Sequence, residues 1–159
     1  MTPIFYDTHA HMDYPDYEGD FSDVIARAEA AGISKIISIG TDLESSGKAI
    51  KLAEQFPTIY AAIGWHPCNA NDAPDDLRPA LRKLAAHPKV VAIGETGLDY
   101  HHLPSCNVRP VAESNEKSRD TLDATPADDE RYKKKQAQIF LQQMEIAAEF
   151  NLNCVIHQR

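Results

Sequence analysis

The pattern that decides the fold is clearest at residues 90–99, which read VVAIGETGLD. Four apolar residues precede a glycine and then polar residues, which is typical of a buried strand that ends at a ligand-binding edge. Similar runs occur at residues 4–7, 35–40, 58–64 and 153–157. Amphipathic segments with helical spacing of their apolar residues separate these runs. The alternation of strand and helix predicts a parallel α/β sheet that is buried on both faces.

Five strands and four helices are predicted. The strands are Ile4–Tyr6, Lys35–Ile39, Thr58–Ile63, Val90–Ile93 and Asn153–Ile156. The helices are Phe21–Ala31, Leu43–Phe56, Leu77–His87 and Glu130–Phe150. Residues 101–129 are polar and non-periodic, and we expect an acidic, flexible insert there. This order fits either a doubly wound sheet or a (β/α) barrel.

Composition excludes several classes of protein. The 159 residues suit one domain, with 43% hydrophobic residues for a core. A formal net charge of −8 argues against binding nucleic acid through a broad basic surface. The sequence has no apolar run long enough to cross a membrane and no secretory signal at its start. Three separated cysteines without a CxxC pair favour the reducing cytoplasm. Glycine-rich nucleotide-binding motifs and a GxSxG elbow are absent.

Side chains that can ligate a metal follow four of the five predicted strands, namely the first, the third (His66), the fourth and the fifth. His9 and His11 have the spacing that directs two side chains of a strand to the same face. Glu95 follows the fourth strand after a single glycine, and His157 comes directly after the fifth; the ends of parallel strands meet at one edge. Imidazole and carboxylate are common ligands of divalent metals, so the set predicts a metal centre. Each residue alone also fits a plainer role, such as a polar strand end, a salt-bridged acid or a hydrogen-bonded core histidine.

Other polar residues near these strand ends have two possible roles. Asp13 and Asp99 are either acids that orient the imidazoles or ordinary turn residues. His66 either faces the mouth of the site and contacts substrate or packs beneath Trp65.

The remaining candidates have no predicted chemistry. His101 and His102 open the polar segment, and we expect them to be solvated loop histidines. Cys68 and Cys154 are expected to be small, buried packing residues.

Four segments together resemble the TatD family of metal-dependent deoxyribonucleases. They read DTHAHMD at 7–13, GWHP at 64–67, GETGLDY at 94–100 and VIHQR at 155–159. They are similar to the family's DTHxHLD, G-[IVL]-H-P and GExGLDY motifs and to its HxR-bearing strand, in the same order. The resemblance implies a (β/α) TIM-type barrel that holds two divalent metal ions (Mg, Mn or Zn).

The resemblance also implies roles for individual residues. His9 and His11 would hold one metal ion, His157 would bind the second, and Glu95 would be the catalytic residue that bridges both. The implied function is a hydrolase that cleaves phosphodiester bonds of DNA from an end, on a single strand, by attack of an activated water. Arg159 is suited to hold a phosphate oxygen of the substrate.

The length indicates part of a barrel. A complete barrel needs about 250 residues, whereas five strands and four helices in a single domain over 1–159 make its incomplete N-terminal part. The family's later HCFxG-like and ETDxP-like motifs are missing, so we expect a fragment whose own activity is in question. The alternatives are another metal-dependent ester or amide hydrolase of this fold, or an inactive fragment. We expect the full-length protein to be a cytoplasmic monomer.

Overall fold

A parallel sheet of five strands forms the centre of the fold. The computed structural model describes residues 4–17, 19–104 and 125–159. The strands pair in chain order and are β1 (Phe5–Ala10), β2 (Ile33–Ile39), β3 (Ile59–Ile63), β4 (Val90–Leu98) and β5 (Asn153–Gln158). The helices are α1 (Phe21–Ala30), α2 (Leu43–Gln55), α3 (Arg78–Ala85) and α4 (Pro126–Phe150). Short 3₁₀ helices span Pro15–Tyr17 and Pro67–Asp72. The predicted α/β alternation is confirmed.

The sheet curls into half of a (β/α) barrel, and its two faces are packed differently. The outer face carries the helices, with Ile36 in contact with the apolar residues of α1 and α2, and Ile93 in the cluster beneath α3 and α4. Ile39, Ala62 and Ala92 form a smaller cluster on the inner face. The clusters on the helix-covered face are larger than the inner one, so this face supplies most of the core. Burying one such isoleucine contributes about 1.5–3 kcal/mol. Among residues 4–17, 19–104 and 125–159, no helix has the length and apolar character needed to cross a membrane.

Three strands extend into the polar motifs that follow their apolar runs. β1 includes His9, β4 includes Glu95 and β5 includes His157, whereas the sequence pattern places these residues just after the strands. The strands continue because backbone pairing continues, with Ala10 opposite Ser38 and Thr96 opposite Ile156. These side chains are therefore held by a hydrogen-bonded ladder.

Two helices begin with reciprocal side-chain caps. Asp42 accepts a hydrogen bond from the main-chain N–H of Ser45, and the Ser45 hydroxyl accepts one from the N–H of Asp42, at the start of α2. Thr125 and Asp128 make the same exchange at the start of α4. Because this cap fixes the first turn, α4 begins four residues before its predicted start at Glu130. Most of the predicted insert, residues 105–124, lies outside the described residues.

The two outer strands leave apolar side chains in solvent. Within the part of the chain that the structure describes, β1 pairs only with β2 and β5 only with β4. Phe5 on β1 and Ile156 on β5 are each 53% exposed. An incomplete barrel has two such open edges.

Candidate metal centre

Five of the predicted site residues converge at the carboxyl ends of the strands. β1 supplies His9, His11 follows it directly, and β4 and β5 supply Glu95 and His157. His66 follows β3 and precedes the 3₁₀ helix. The ligand atoms of His9, His11 and Glu95 lie within 4.8 Å of one another, and so do those of His66, Glu95 and His157. Glu95 belongs to both groups.

The Glu95 carboxylate divides the four histidines into two pairs. Its Oε2 atom lies 3.2 Å from His9 Nε2 and 3.9 Å from His11 Nε2. Its Oε1 atom lies 2.9 Å from His157 Nδ1 and 3.7 Å from His66 Nε2. The Glu95 side chain is only 12% exposed, so the carboxylate is enclosed by these imidazoles. This arrangement suits a carboxylate that bridges two cations.

Hydrogen bonds on the outer side of two imidazoles orient their other nitrogens towards Glu95. His11 Nδ1 donates to the carbonyl oxygen of Ile39 at 3.2 Å, which leaves Nε2 as the free nitrogen. His157 Nε2 donates to Asp99 Oδ2 at 2.9 Å, which leaves Nδ1 facing Glu95. Such outer hydrogen bonds are the usual way in which proteins fix the tautomer of a metal-binding histidine. The donor set therefore fits a divalent metal ion.

His66 is arranged as a hydrogen-bond donor. Its Nδ1 accepts the main-chain N–H of Cys68 at 3.1 Å, so the neutral ring carries its proton on Nε2. That Nε2 lies 3.1 Å from His157 Nδ1. Burial lowers the pKa of His66, against the opposing charge of Glu95, and keeps the ring neutral near pH 7. His66 thus presents an N–H to the centre of the site.

Asp99 is buried behind His157 and connects it to a neighbouring group of side chains. Its Oδ2 also lies 2.8 Å from His102 Nδ1 and 3.3 Å from Cys68 Sγ. Burial acts to raise the pKa of Asp99, but hydrogen bonds from His102, Cys68 and His157 outweigh it and hold the pKa well below its usual value. Asp99 is thus an ionised acid that orients an imidazole, which is one of its two predicted roles.

Several predictions about neighbouring residues differ from the structure. Cys68 and Cys154 are exposed rather than buried, because Cys68 lies at the rim of the site and Cys154 on an edge strand. Burial of the sulfur and its bond to Asp99 nevertheless raise the pKa of the Cys68 thiol to about 11. His102 is not simply a solvated loop histidine, since it bonds to Asp99, whereas His101 packs against the His102 ring.

Arg159 is an exposed residue at the end of β5. Its main-chain N–H donates to Leu98 and its carbonyl accepts from the N–H of Tyr100. Its predicted contact with a substrate phosphate stays a prediction.

Sequence reasoning missed three buried glutamines on α4. Gln143 accepts the N–H of Trp65 at 2.7 Å and donates to the carbonyl of the same residue at 3.0 Å. Gln136 makes the equivalent pair of bonds with Asp99, both at 2.9 Å. Gln142 accepts the N–H of Leu77 and donates to the carbonyl of Asp75, just before α3. These amides fix the backbone beside His66 and at Asp99.

An aromatic cleft adjoins the imidazoles. Tyr14 is half exposed, and its ring stacks on that of His11 with the ring centroids 5.4 Å apart. Tyr14 also lines a cleft of about 400 Å³ that includes Tyr17 and two lysines, Lys48 and Lys51. The cleft thus combines aromatic rings with two lysines, of which Lys48 pairs with Glu44 at 2.8 Å.

Comparison with known protein families gives a match over nearly the whole chain. Residues 6–159 match the sequence profile described as "TatD related DNase". The chain is 35% identical, over 98% of its length, to a Bacillus subtilis protein described as the uncharacterized metal-dependent hydrolase YabD. It is 31% identical, over 97% of its length, to an Escherichia fergusonii protein described as the 3'-5' ssDNA/RNA exonuclease TatD.

Solved structures of TatD-family proteins also match the chain. The crystal structure of YjjV, a TatD homologue from Escherichia coli, matches 98% of the chain with a TM-score of 0.72 and 30% identity. A TatD-family hydrolase from Entamoeba histolytica matches all of it with a TM-score of 0.73 and 25% identity. The chain covers 51% of each of these two structures, 51% of YabD and 49% of the exonuclease. It therefore spans about half the length of the relatives that it matches.

Proposed function

Because the chain belongs to the family of TatD-related DNases, which includes metal-dependent hydrolases, we propose that it forms the metal-binding half of a nuclease. The substrate would be single-stranded DNA, cleaved at its phosphodiester bonds from one end. The Escherichia fergusonii protein that is similar to 97% of this chain supports this substrate class, because it is described as a 3'-5' ssDNA/RNA exonuclease. We also propose that the full-length protein is a cytoplasmic monomer.

One observation carries the proposal: the two oxygens of Glu95 face different pairs of histidines. In this arrangement His9 and His11 would hold one divalent ion (Mg, Mn or Zn) and His157 a second, with Glu95 between them as the catalytic residue. When bound, such a pair of ions polarises a phosphoryl group and lowers the pKa of a water. The net charge of −8 is compatible with a phosphate substrate because the ions, rather than a broad basic surface, would meet the phosphate that is cleaved.

Residues around the carboxylate would position the substrate. His66 presents Nε2–H to the centre of the site, where it can donate to a phosphate oxygen. Arg159, at the end of the neighbouring strand, offers a guanidinium for a second oxygen.

The cleft beside His11 favours a single strand with unpaired bases. Tyr14 offers an exposed ring face next to the metal ligands, and stacking of a base on an aromatic ring contributes about 1–3 kcal/mol. Lys48 and Lys51 lie where the backbone of such a strand could follow the cleft.

A substitution that removes the charge of Glu95 tests the proposal. In Glu95→Gln, we expect Mn²⁺ binding, measured by calorimetry, to weaken more than about tenfold. In the full-length protein, cleavage of an end-labelled single-stranded oligonucleotide should fall about a hundredfold or more, because the bridging charge is lost. The matched control is Glu54→Gln, since Glu54 pairs with His87 at the surface, away from the site. Metal binding that is unchanged in Glu95→Gln would contradict the proposal.

Substrate choice separates the proposal from its main alternative. YabD is described only as a metal-dependent hydrolase, which leaves esters and amides open for chains similar to it. We expect phosphodiester cleavage to exceed turnover of carboxyl esters and amides in a substrate panel. The reverse order would favour another hydrolase, and metal binding without any cleavage would favour an inactive half.

A further inference from the structure

A second group of metal-ligating atoms lies on the far side of His157. Cys68 Sγ is 3.3 Å from Asp99 Oδ2 and 3.9 Å from His102 Nδ1. The Oδ2 and Nδ1 atoms are 2.8 Å apart. A thiol, a carboxylate and an imidazole thus meet at separations close to those between the ligands of one zinc ion, about 3.2–3.5 Å for bonds of about 2.0–2.3 Å.

Hydrogen bonds that do not involve the three candidate ligand atoms hold Cys68 and Asp99 in place. Cys68 donates its N–H to His66 Nδ1 and accepts the Tyr132 hydroxyl at its carbonyl. Asp99 is clamped at its N–H and carbonyl by Gln136. Its other oxygen, Oδ1, accepts the main-chain N–H groups of His101 and His102. The positions of the thiol and the carboxylate are therefore set by the fold.

We propose that Cys68, Asp99 and His102 bind a divalent cation of the zinc class, separate from the ions at Glu95. On binding, the thiol proton passes to solvent and the sulfur ligates as a thiolate. The proton on His102 Nδ1 moves to Nε2, so that the imidazole stays neutral. Thiolate and carboxylate together then balance the charge of the ion.

The chemistry of the ligands selects the metal. A thiolate with an imidazole favours zinc or a similar borderline-soft ion over magnesium or calcium, which prefer oxygen ligands. Cys68 is exposed and the His102 side chain is 42% exposed, so the fourth coordination position faces solvent. Asp99 Oδ2 also accepts from His157, so the same carboxylate contacts both centres. The proposed site does not depend on the proposed hydrolysis.

Cobalt substitution provides a test that reads the sulfur ligand directly. Co²⁺ bound by a thiolate has a near-ultraviolet charge-transfer band, and among the residues that the structure describes none of the candidate ligands around Glu95 is a cysteine. We expect this band when the metal-free 159-residue chain is titrated with Co²⁺. It should persist in a His9→Ala, His11→Ala double variant, which removes ligands from the other centre. It should disappear in Cys68→Ser, with about one equivalent less of bound metal.

Two further variants keep the test decisive. Cys154→Ser removes the thiol that contacts Met144 on α4, and we expect it to leave the band unchanged. His102→Ala changes a partly exposed side chain and should weaken Co²⁺ binding at this site more than about tenfold. The proposal is overturned if the band is absent from the unsubstituted chain, persists in Cys68→Ser, or disappears in Cys154→Ser.

Discussion

The position of His157 depends on a glycine in the neighbouring strand. Gly97 pairs with His157 between β4 and β5 and has a φ of 141°, a conformation that other residues rarely adopt. A Cβ atom at residue 97 would meet the main-chain carbonyl of His157. Close approach of the two strands therefore needs a residue without a side chain.

Substitution of this glycine should reduce stability. We expect Gly97→Ala to lower the free energy of unfolding by more than about 2 kcal/mol, because the methyl group adds both a clash and backbone strain. Urea denaturation measures the change. The control is Gly47→Ala on α2, where a Cβ atom would meet nothing within 4 Å. This substitution should raise the free energy of unfolding by about 0.5–1 kcal/mol, because alanine favours a helix more than glycine does. Equal effects of the two substitutions would contradict this account.

Individual residues differ in how well the sequence predicts them. His9, His11, Glu95 and His157 were recognisable because each follows an apolar run, and all four converge in the structure. The environment of Cys68 was not predictable, because its neighbours Asp99 and His102 are about thirty residues away in the chain. Contacts of this kind follow from tertiary packing rather than from local pattern.

At the scale of elements, α4 both covers the sheet and hydrogen-bonds to the loops of the site. One face of the helix reads Gln136, Ile139, Gln143 and Ile146, and all four residues are buried. The isoleucines pack in the core, whereas the glutamines bond to the main chain at Asp99 and Trp65.

Removing one of these amides should destabilise the protein without leaving a large cavity. We expect Gln143→Leu to cost about 2–4 kcal/mol, since the buried N–H and carbonyl of Trp65 would lose their partners. Thermal or urea unfolding measures this loss. Gln138→Leu is the control on the same helix, because Gln138 is exposed and makes a single bond to Asp75, so its change should stay within about 0.5 kcal/mol. A similar loss in both variants would count against the role of Gln143.

The order of elements follows from the sequence better than their ends do. Apolar runs located all five strands, but β1 and β4 continue through polar residues because pairing with β2 and β5 persists there. The start of α4 had a local signal, Thr125 and Pro126 followed by Asp128, which is a capping box with proline in the first turn. The buried glutamines also had a signal, since they share the helical face of Ile139 and Ile146.

For the whole molecule, the two open edges of the sheet should govern its behaviour in solution. Unpaired strands with exposed apolar residues, such as Phe5 and Ile156, favour association with other strands. We expect the 159-residue chain to associate with itself as its concentration rises, which sedimentation velocity would detect. Phe5→Lys should reduce association because a charge on an edge strand opposes pairing. Leu141→Lys, at a side chain 62% exposed on α4, should have little effect. A chain that stays monomeric at all concentrations would contradict the prediction.

The edge strands also carry the histidines at the two ends of the site. His9 belongs to β1 and His157 to β5, and Glu95 on β4 lies within 3.2 Å of both imidazoles. The curvature of the sheet therefore sets the distance between the two groups of ligands. Flattening the sheet would separate His9 from Glu95, whereas ions bound between them would hold the outer strands at a fixed angle. The affinity for metal ions and the resistance of the sheet to bending are thus coupled in this half-barrel, so a change in one should change the other.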